Sequence, residues 1–141
     1  LEDAGIPYRH RQVRHYRDMA DCFHALDAYA IPARQEGGPK ALLEAMAAAL
    51  PVIVTDSPGC SEFVREENSG LIVPPRDPAS LAQAMATLLE DAQTRRELSV
   101  RSSQRAARFD WPRVLDRYLE IYGDLIGTQH PTPAPPSGSK R

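Results

Sequence analysis

Long apolar runs are missing from this sequence. The longest mostly apolar stretch, residues 45–54, contains Pro51 and stops far short of the roughly 20 residues a membrane-spanning helix needs. No signal-peptide pattern stands at the start. Cysteine is scarce: Cys22 and Cys60 are the only two, too few and too far apart for a metal pattern or a disulfide framework. Two free, fairly buried thiols in a reducing compartment are expected. Excess charge is also lacking. A formal net charge of -2 favours neither nucleic acid nor an anionic membrane as a bulk partner. There is no internal repeat. The first residue is Leu1 rather than Met, in what reads as the middle of an element, so the chain is expected to be a piece of something longer.

What is present suits a globular protein. Hydrophobic residues make up 42% and charged residues 26%, enough apolar material for a core. A length of 141 residues accommodates one ordinary domain and not two.

Residues 6–13 read as a short strand leading into a loop. Residues 19–26 predict a short helix, with Met19, Cys22, Phe23 and Leu26 spaced at three and four and Asp18 as its cap. A buried strand follows at 28–32. Residues 37–49 predict a helix that opens on Gly37, Gly38 and Pro39 and is apolar almost all round. The β-branched run at 51–55 reads as a strand, 59–64 as a brief helix and 70–73 as a strand closed by Pro74 and Pro75. Three helices come next. Asp77 caps one that runs to about Asp91, with Leu81, Met85, Leu88 and Leu89 on one face. A polar one spans about 93–108, with Leu98 its main apolar contact. Asp110 caps the last, whose stripe of Trp111, Val114, Leu115, Tyr118, Leu119, Tyr122, Leu125 and Ile126 is the strongest amphipathic signal in the chain. Residues 1–127 are therefore assigned to an α/β domain, and the proline-, serine- and glycine-rich residues 128–141 to a disordered tail.

Alternating strands and helices predict a parallel sheet with helices on both faces. Ligands bind such sheets at the carboxyl ends of the strands. Two loops lie there, 32–40 and 55–59. In the first, a helix N-terminus offers backbone N–H groups and a favourable dipole to an anion. Gly37 and Gly38 allow a phosphate close to the backbone, and Lys40 adds a positive charge. Glu44 lies within an apolar helix, where a carboxylate without donors is costly. The hydroxyls of a ribose would serve it. Glu36 and Glu44 are separated by roughly 12 Å of helical rise, about the scale of a diphosphate with a sugar at each end. The same residues also admit a plain structural account. Lys40 and Glu44 are four apart and can simply pair, and Glu36 alone can be a solvated loop carboxylate.

The segment 34–47, Arg-Gln-Glu-Gly-Gly-Pro-Lys-Ala-Leu-Leu-Glu-Ala-Met-Ala, followed by Pro51-Val52-Ile53-Val54, resembles the signature of retaining glycosyltransferases of GT-B family 4. That family carries two glutamates separated by seven residues, then an Ala-Met-Ala helix and a Pro-Val strand. Asp27-Ala28-Tyr29, Gly70-Leu71-Ile72-Val73-Pro74 and Asp77-Pro78 agree with its flanks, so the likeness covers roughly 18–126. The resemblance implies the C-terminal Rossmann-like domain of a GT-B enzyme, truncated, with extra C-terminal helices. It implies that Glu36 contacts hydroxyls of the donor sugar and is the catalytic carboxylate. Glu44 would bind the nucleotide ribose, and Gly37, Gly38 and Lys40 would line the donor site. It implies a nucleotide-diphosphate sugar as substrate, no cofactor and no metal, because helix dipole and basic side chains stabilise the leaving diphosphate. The implied partners are the donor and an acceptor-binding N-terminal domain, without nucleic acid. The implied location is the cytoplasm or the cytoplasmic face of a membrane, with peripheral association. Part of the last helix's stripe would be exposed, since this helix often crosses to the other domain.

Three departures stand out. The basic residues that neutralise the diphosphate belong to an earlier loop that this sequence does not contain. The acceptor domain is absent from it too. Ala49 stands where the family usually has glycine; if a positive φ is needed there, alanine costs on the order of 1 kcal/mol. Two other functions fit the architecture: a nucleotide-sugar epimerase, and a non-catalytic α/β interaction module in which Glu44 merely pairs with Lys40. The basic run Arg9, His10, Arg11, Arg14, His15 and Arg17 is read as a solvated face, His24 as a packed or surface histidine, and Asp56 with Ser57 as a turn that can also reach a ligand.

Overall fold

The computed structural model describes residues 5–10, 12–37 and 40–127. A 3₁₀ turn at Tyr16–Asp18 leads into α1 (Met19–His24) and β1 (Tyr29–Ile31). Then come α2 (Lys40–Ala47), β2 (Val52–Thr55), α3 (Ser61–Arg65) and β3 (Leu71–Val73). The chain continues as α4 (Pro78–Glu90), α5 (Ala92–Ala106), a 3₁₀ turn at Ala107–Phe109 and α6 (Trp111–Ile126). Among the described residues no strand forms at 6–13, in contrast to the expectation; the extended strand-former pattern there is short and interrupted by Pro7 and the basic run.

The three strands make one parallel sheet in the order β1-β2-β3. Tyr29 lies opposite Val52, and Ile53 opposite Leu71. Each neighbouring pair is joined through a helix, as parallel pairing requires. β2 is central and buried along its whole length. Its alternation divides the interior in two. Val52 and Val54 enter one core with Phe23, Leu42, Ala45, Met46, Val64 and Ala106. Ile53 enters the other with Val73, Ala84, Leu88 and Leu98. Helices α1, α2 and α3 supply the first core and α4 the second, while α5 reaches both. The result is the three-layer α/β arrangement expected, with helices on both faces of the sheet. Each fully buried Leu or Met in these layers contributes roughly 1.5–3 kcal/mol.

Several boundaries differ from expectation. Gly37 is not helical; α2 spans Lys40–Ala47 among the described residues and buries only Leu42, Ala45 and Met46, leaving Ala47 exposed. It therefore has one buried face rather than an apolar surround. Gly38 and Pro39 lie outside the described residues, as do residues 128–141 and Leu1 to Ala4. Asp18 precedes α1 but makes no side-chain cap bond, because its backbone is already helical, φ -81 and ψ -6, in the 3₁₀ turn. Asp77 and Asp110 do cap: Ser80 N–H donates to Asp77 and Arg113 N–H to Asp110. Asp91, expected to end α4, also caps α5 by accepting from the N–H groups of Gln93 and Thr94. On the face of α4, Leu88 is buried but Leu89 is 75% exposed. The polar α5 hides Arg105, whose Nε donates to the Phe63 carbonyl at 3.0 Å and whose guanidinium pairs with Glu66 and Glu67.

α2 closes in a way that bears on one departure noted above. Leu50 N–H bonds back to the Ala45 carbonyl and Ala49 N–H to the Met46 carbonyl, both at 3.0 Å. This is a Schellman ending, and Ala49 sits at its left-handed position with φ 58. The Ala49 carbonyl accepts from the Ser99 hydroxyl at 2.7 Å, tying the end of α2 to α5.

The chain divides into two compact units, one reaching Ala107 and one starting at Arg108. In the second, α6 ends on Gly127 at φ 67. Tyr118 and Tyr122 stack with centroids 6.1 Å apart. Most of the apolar stripe is exposed, Trp111 at 74%.

Two outcomes test these local assignments. Ala49→Gly is expected to raise the unfolding free energy by on the order of 1 kcal/mol, since it removes the left-handed strain; urea unfolding at or below the parent stability would contradict the strained ending. The Asp77 and Asp91 carboxyls are held below their ordinary value of 3.8, chiefly by the Ser80 and Thr94 hydroxyls respectively, then by the cap N–H groups. Their stabilising effect is complete above that value and fades as pH falls through the lower folded values. Stability of the Asp77→Asn, Asp91→Asn double variant should therefore fall less steeply than the parent's between about pH 4 and pH 2. Parallel pH profiles would rule the linkage out.

Candidate functional site

The carboxyl ends of β1 and β2 meet at the loop that precedes α2. Thr55, the last residue of β2, holds that loop: its Oγ1 lies 2.5 Å from the Ala33 carbonyl and 3.1 Å from the Ile31 carbonyl. The hydroxyl is buried with the strand, so it fixes the path out of β1. Gly59 holds the loop from the other side. Its φ is +89, and a Cβ there would lie 1.9 Å from the Glu36 carbonyl oxygen. Only glycine allows the backbone of the second loop to come so close to Glu36.

Glu36 and Lys40 line one open cleft of about 510 Å³, with Tyr29, Ile31, Ala33 and Ala41 among its walls. The Glu36 carboxylate accepts from the Gly37 N–H at 3.2 Å. Glu44 lies one turn beyond Lys40 on α2, its side chain 22% exposed. Its partners are protein groups: the Tyr16 phenol donates to Oε1, and the Lys40 ammonium forms an ion pair with the same oxygen at 3.7 Å. The pairing of Lys40 with Glu44 foreseen in the plain structural account is thus present. Lys40 also lies 4.1 Å above the Tyr16 ring. Tyr16, and after it Glu44, push the Lys40 ammonium above its ordinary value. Tyr29 joins the two carboxylates: burial raises its phenol, and the charges of Glu44 and Glu36 add to the rise. Its ring is held edge-on against Phe23, 5.5 Å away. A second open cleft of about 430 Å³ is lined by Arg34, Thr55, Val73, Arg76 and Asp77 at the carboxyl ends of β2 and β3.

The fold and this loop can be matched to known proteins. Residues 4–91 match the family described as Glycosyl transferases group 1. The chain belongs to that family. A D-inositol 3-phosphate glycosyltransferase of Salinispora tropica is 36% identical over 110 residues, which make up 77% of this chain and 23% of the relative. Sucrose-phosphate synthase from Thermosynechococcus elongatus superposes with a TM-score of 0.69 at 30% identity, covering 75% of this chain and 27% of that one. Anabaena HepE, solved in complex with UDP-glucose, superposes with a TM-score of 0.62 at 26% identity, covering 75% and 29%. The group 1 chain described here thus spans about a quarter of the length of these relatives. Its parallel sheet with helices on both faces is the Rossmann-like GT-B architecture.

The remaining sequence candidates separate by environment. Asp56 pairs with Arg65 at 2.7 Å, which holds its carboxyl below the ordinary value, and the Ser57 carbonyl accepts from Cys60 and Ser61 at the start of α3. Both serve the turn. His24, Arg9, His10, Arg14, His15 and Arg17 are exposed. Cys60 is buried, which raises its thiol, and Cys22 is half-buried; neither is in a disulfide. Among the described residues no three His, Cys, Asp or Glu side chains gather as a metal group, and no helix is long and apolar enough to cross a membrane. Sequence reasoning missed Tyr16, Tyr29 and Gly59. The Pro58-Gly59 pair is a turn signal that pointed to a special backbone there. Nothing local marks the tyrosines, whose roles come from residues distant in the chain.

Gly59→Ala is expected to cost on the order of 2 kcal/mol and to displace the Glu36 loop. Urea unfolding together with the amide NMR signals of residues 36 and 37 reads both effects. Parent-like stability with unmoved Glu36 and Gly37 signals would show that the close approach does not exist.

Proposed function

We propose that this chain is the donor-binding part of a retaining glycosyltransferase, which moves a sugar from a nucleotide diphosphate to an acceptor. The observation that carries the reading is the placing of Glu36 and Lys40 on one cleft at the start of α2, with Glu44 one turn further along. In this reading Glu36 is the catalytic carboxylate and binds hydroxyls of the transferred sugar. Glu44 binds the ribose hydroxyls. The diphosphate lies near Gly37, Gly38 and Lys40, where the helix dipole favours an anion and offsets the unfavourable position of a cation in the first turn.

The chemistry requires neither metal nor cofactor, because backbone dipoles and basic groups stabilise the leaving diphosphate. The further cations and the acceptor site belong to other parts of the whole enzyme. That enzyme acts in the cytoplasm or at a cytoplasmic membrane face. The UDP-glucose bound to HepE is consistent with a nucleotide-sugar donor here. The pairing of Lys40 with Glu44 favours a second reading, a non-catalytic module that keeps the fold.

Calorimetric titration of the 141-residue chain with UDP, GDP, ADP and UDP-glucose separates the two. Weak nucleotide binding without turnover is expected. Glu44→Gln should lower nucleotide affinity roughly tenfold or more, the effect of losing a charged hydrogen-bond acceptor. Glu36→Gln should weaken UDP-glucose and leave UDP nearly unchanged. Equal nucleotide affinity in the parent and Glu44→Gln chains would establish the module reading instead. Turnover by this chain alone would refute the division of labour.

A further inference from the structure

Tyr16 and Glu44 are 28 positions apart, yet the Tyr16 phenol donates to Glu44 Oε1. Tyr16 does not belong to the α2 loop. It comes from the 3₁₀ turn before α1, which Asp18 N–H closes on the His15 carbonyl at 3.0 Å. α1 is anchored by the buried Phe23 in the core that also receives α2. The phenol is thus carried by a separate, fixed element. Lys40, from α2 itself, approaches the same oxygen and lies over the same ring. Both act on Oε1, the phenol as a hydrogen-bond donor and the ammonium as an ion-pair partner. Glu44 Oε2 accepts no hydrogen bond among the described residues.

A carboxylate has about two acceptor sites on each oxygen. The phenol's hydrogen bond and the ammonium's charge beside the same oxygen direct Oε1 to one side and restrict the side chain's torsions. The other oxygen then keeps its full capacity for hydroxyl donors. A Glu held this way loses little further rotamer freedom on binding, which is the usual source of preorganised affinity. We propose that Tyr16 is the positioning residue for Glu44, holding Oε1 so that Oε2 is presented to the ribose diol of the donor nucleotide. The proposal rests on reading Glu44 as the ribose carboxylate. Tyr16 itself touches no reacting atom. Its side chain is largely exposed, at 64%, so its replacement by Phe keeps the ring beneath Lys40 and leaves the core untouched.

The opposite mechanism gives the opposite sign. If the phenol occupied the place of a ribose hydroxyl, its removal would tighten binding. The test uses the 141-residue chain and calorimetry with UDP, ADP and GDP, each beside its analogue lacking both ribose hydroxyls. The pair that binds best is carried through Tyr16→Phe, Glu44→Gln and the double variant. Tyr16→Phe should weaken the nucleotide about three- to tenfold, as for loss of one hydrogen bond, and leave the dideoxy analogue unchanged. It should have no further effect once Glu44 is Gln. Tighter binding by Tyr16→Phe, equal weakening of nucleotide and analogue, or effects that add to those of Glu44→Gln would each overturn the proposal. A parent chain that prefers none of the nucleotides to its analogue, or binds none, overturns the ribose reading of Glu44 and this proposal with it. A clear preference that Tyr16→Phe leaves intact overturns only the role of Tyr16.

Discussion

Val52, Ile53 and Val54 are buried on both sides of the sheet, and the other elements of the first unit take their places from that burial. A strand buried on both faces must be apolar throughout, must pair on both edges and must be covered by helices above and below. β1 and β3 supply the pairing. The helices divide between the two cores according to which side of β2 they face. The same strand then carries its order out to the surface through Thr55, whose hydroxyl grips the chain leaving β1. The loop bearing Glu36 is therefore anchored to the most deeply buried strand of the fold. Rigid support is what a group that must recognise a ligand needs.

Electrostatics at the start of α2 is arranged in an unusual order. A lysine stands in the first turn, where the helix dipole disfavours it, and is balanced by Glu44 and by the face of Tyr16. Glu36 lies just before the helix, in the favourable position for an anion, and uses the Gly37 N–H. Tyr29 lies between the influence of the two carboxylates. These groups satisfy one another through the Tyr16 hydrogen bond, the Lys40 ion pair and the Gly37 N–H.

Close approach is the second constraint on this site. Gly59 lets the loop after β2 press against the Glu36 backbone, so two loops from neighbouring strands act as one piece. Ala49, at the other end of α2, shows the reverse economy. A left-handed position that suits glycine is filled by alanine, and the Schellman bonds and the Ser99 contact hold it there. The helix that carries Lys40 and Glu44 thus keeps a defined length despite a strained end.

The periodicities and punctuation of the sequence were enough for the sheet, its parallel sense, the order of elements from residue 19 onward and the Asp77 and Asp110 caps, because these depend on residues close together in the chain. The spacing of Glu36, Lys40 and Glu44 was legible for the same reason, and so was the left-handed demand on Ala49 once the family resemblance was drawn. Tertiary structure alone decided what those residues touch. The hydrogen bond to Glu44 comes from Tyr16, the clamp on Glu36 from Gly59, and the partners of the buried Arg105 from the Phe63 carbonyl of α3 and from Glu66 and Glu67 after it. Each joins elements far apart in sequence, and no local pattern encodes a distance that exists only after two cores have packed against one strand.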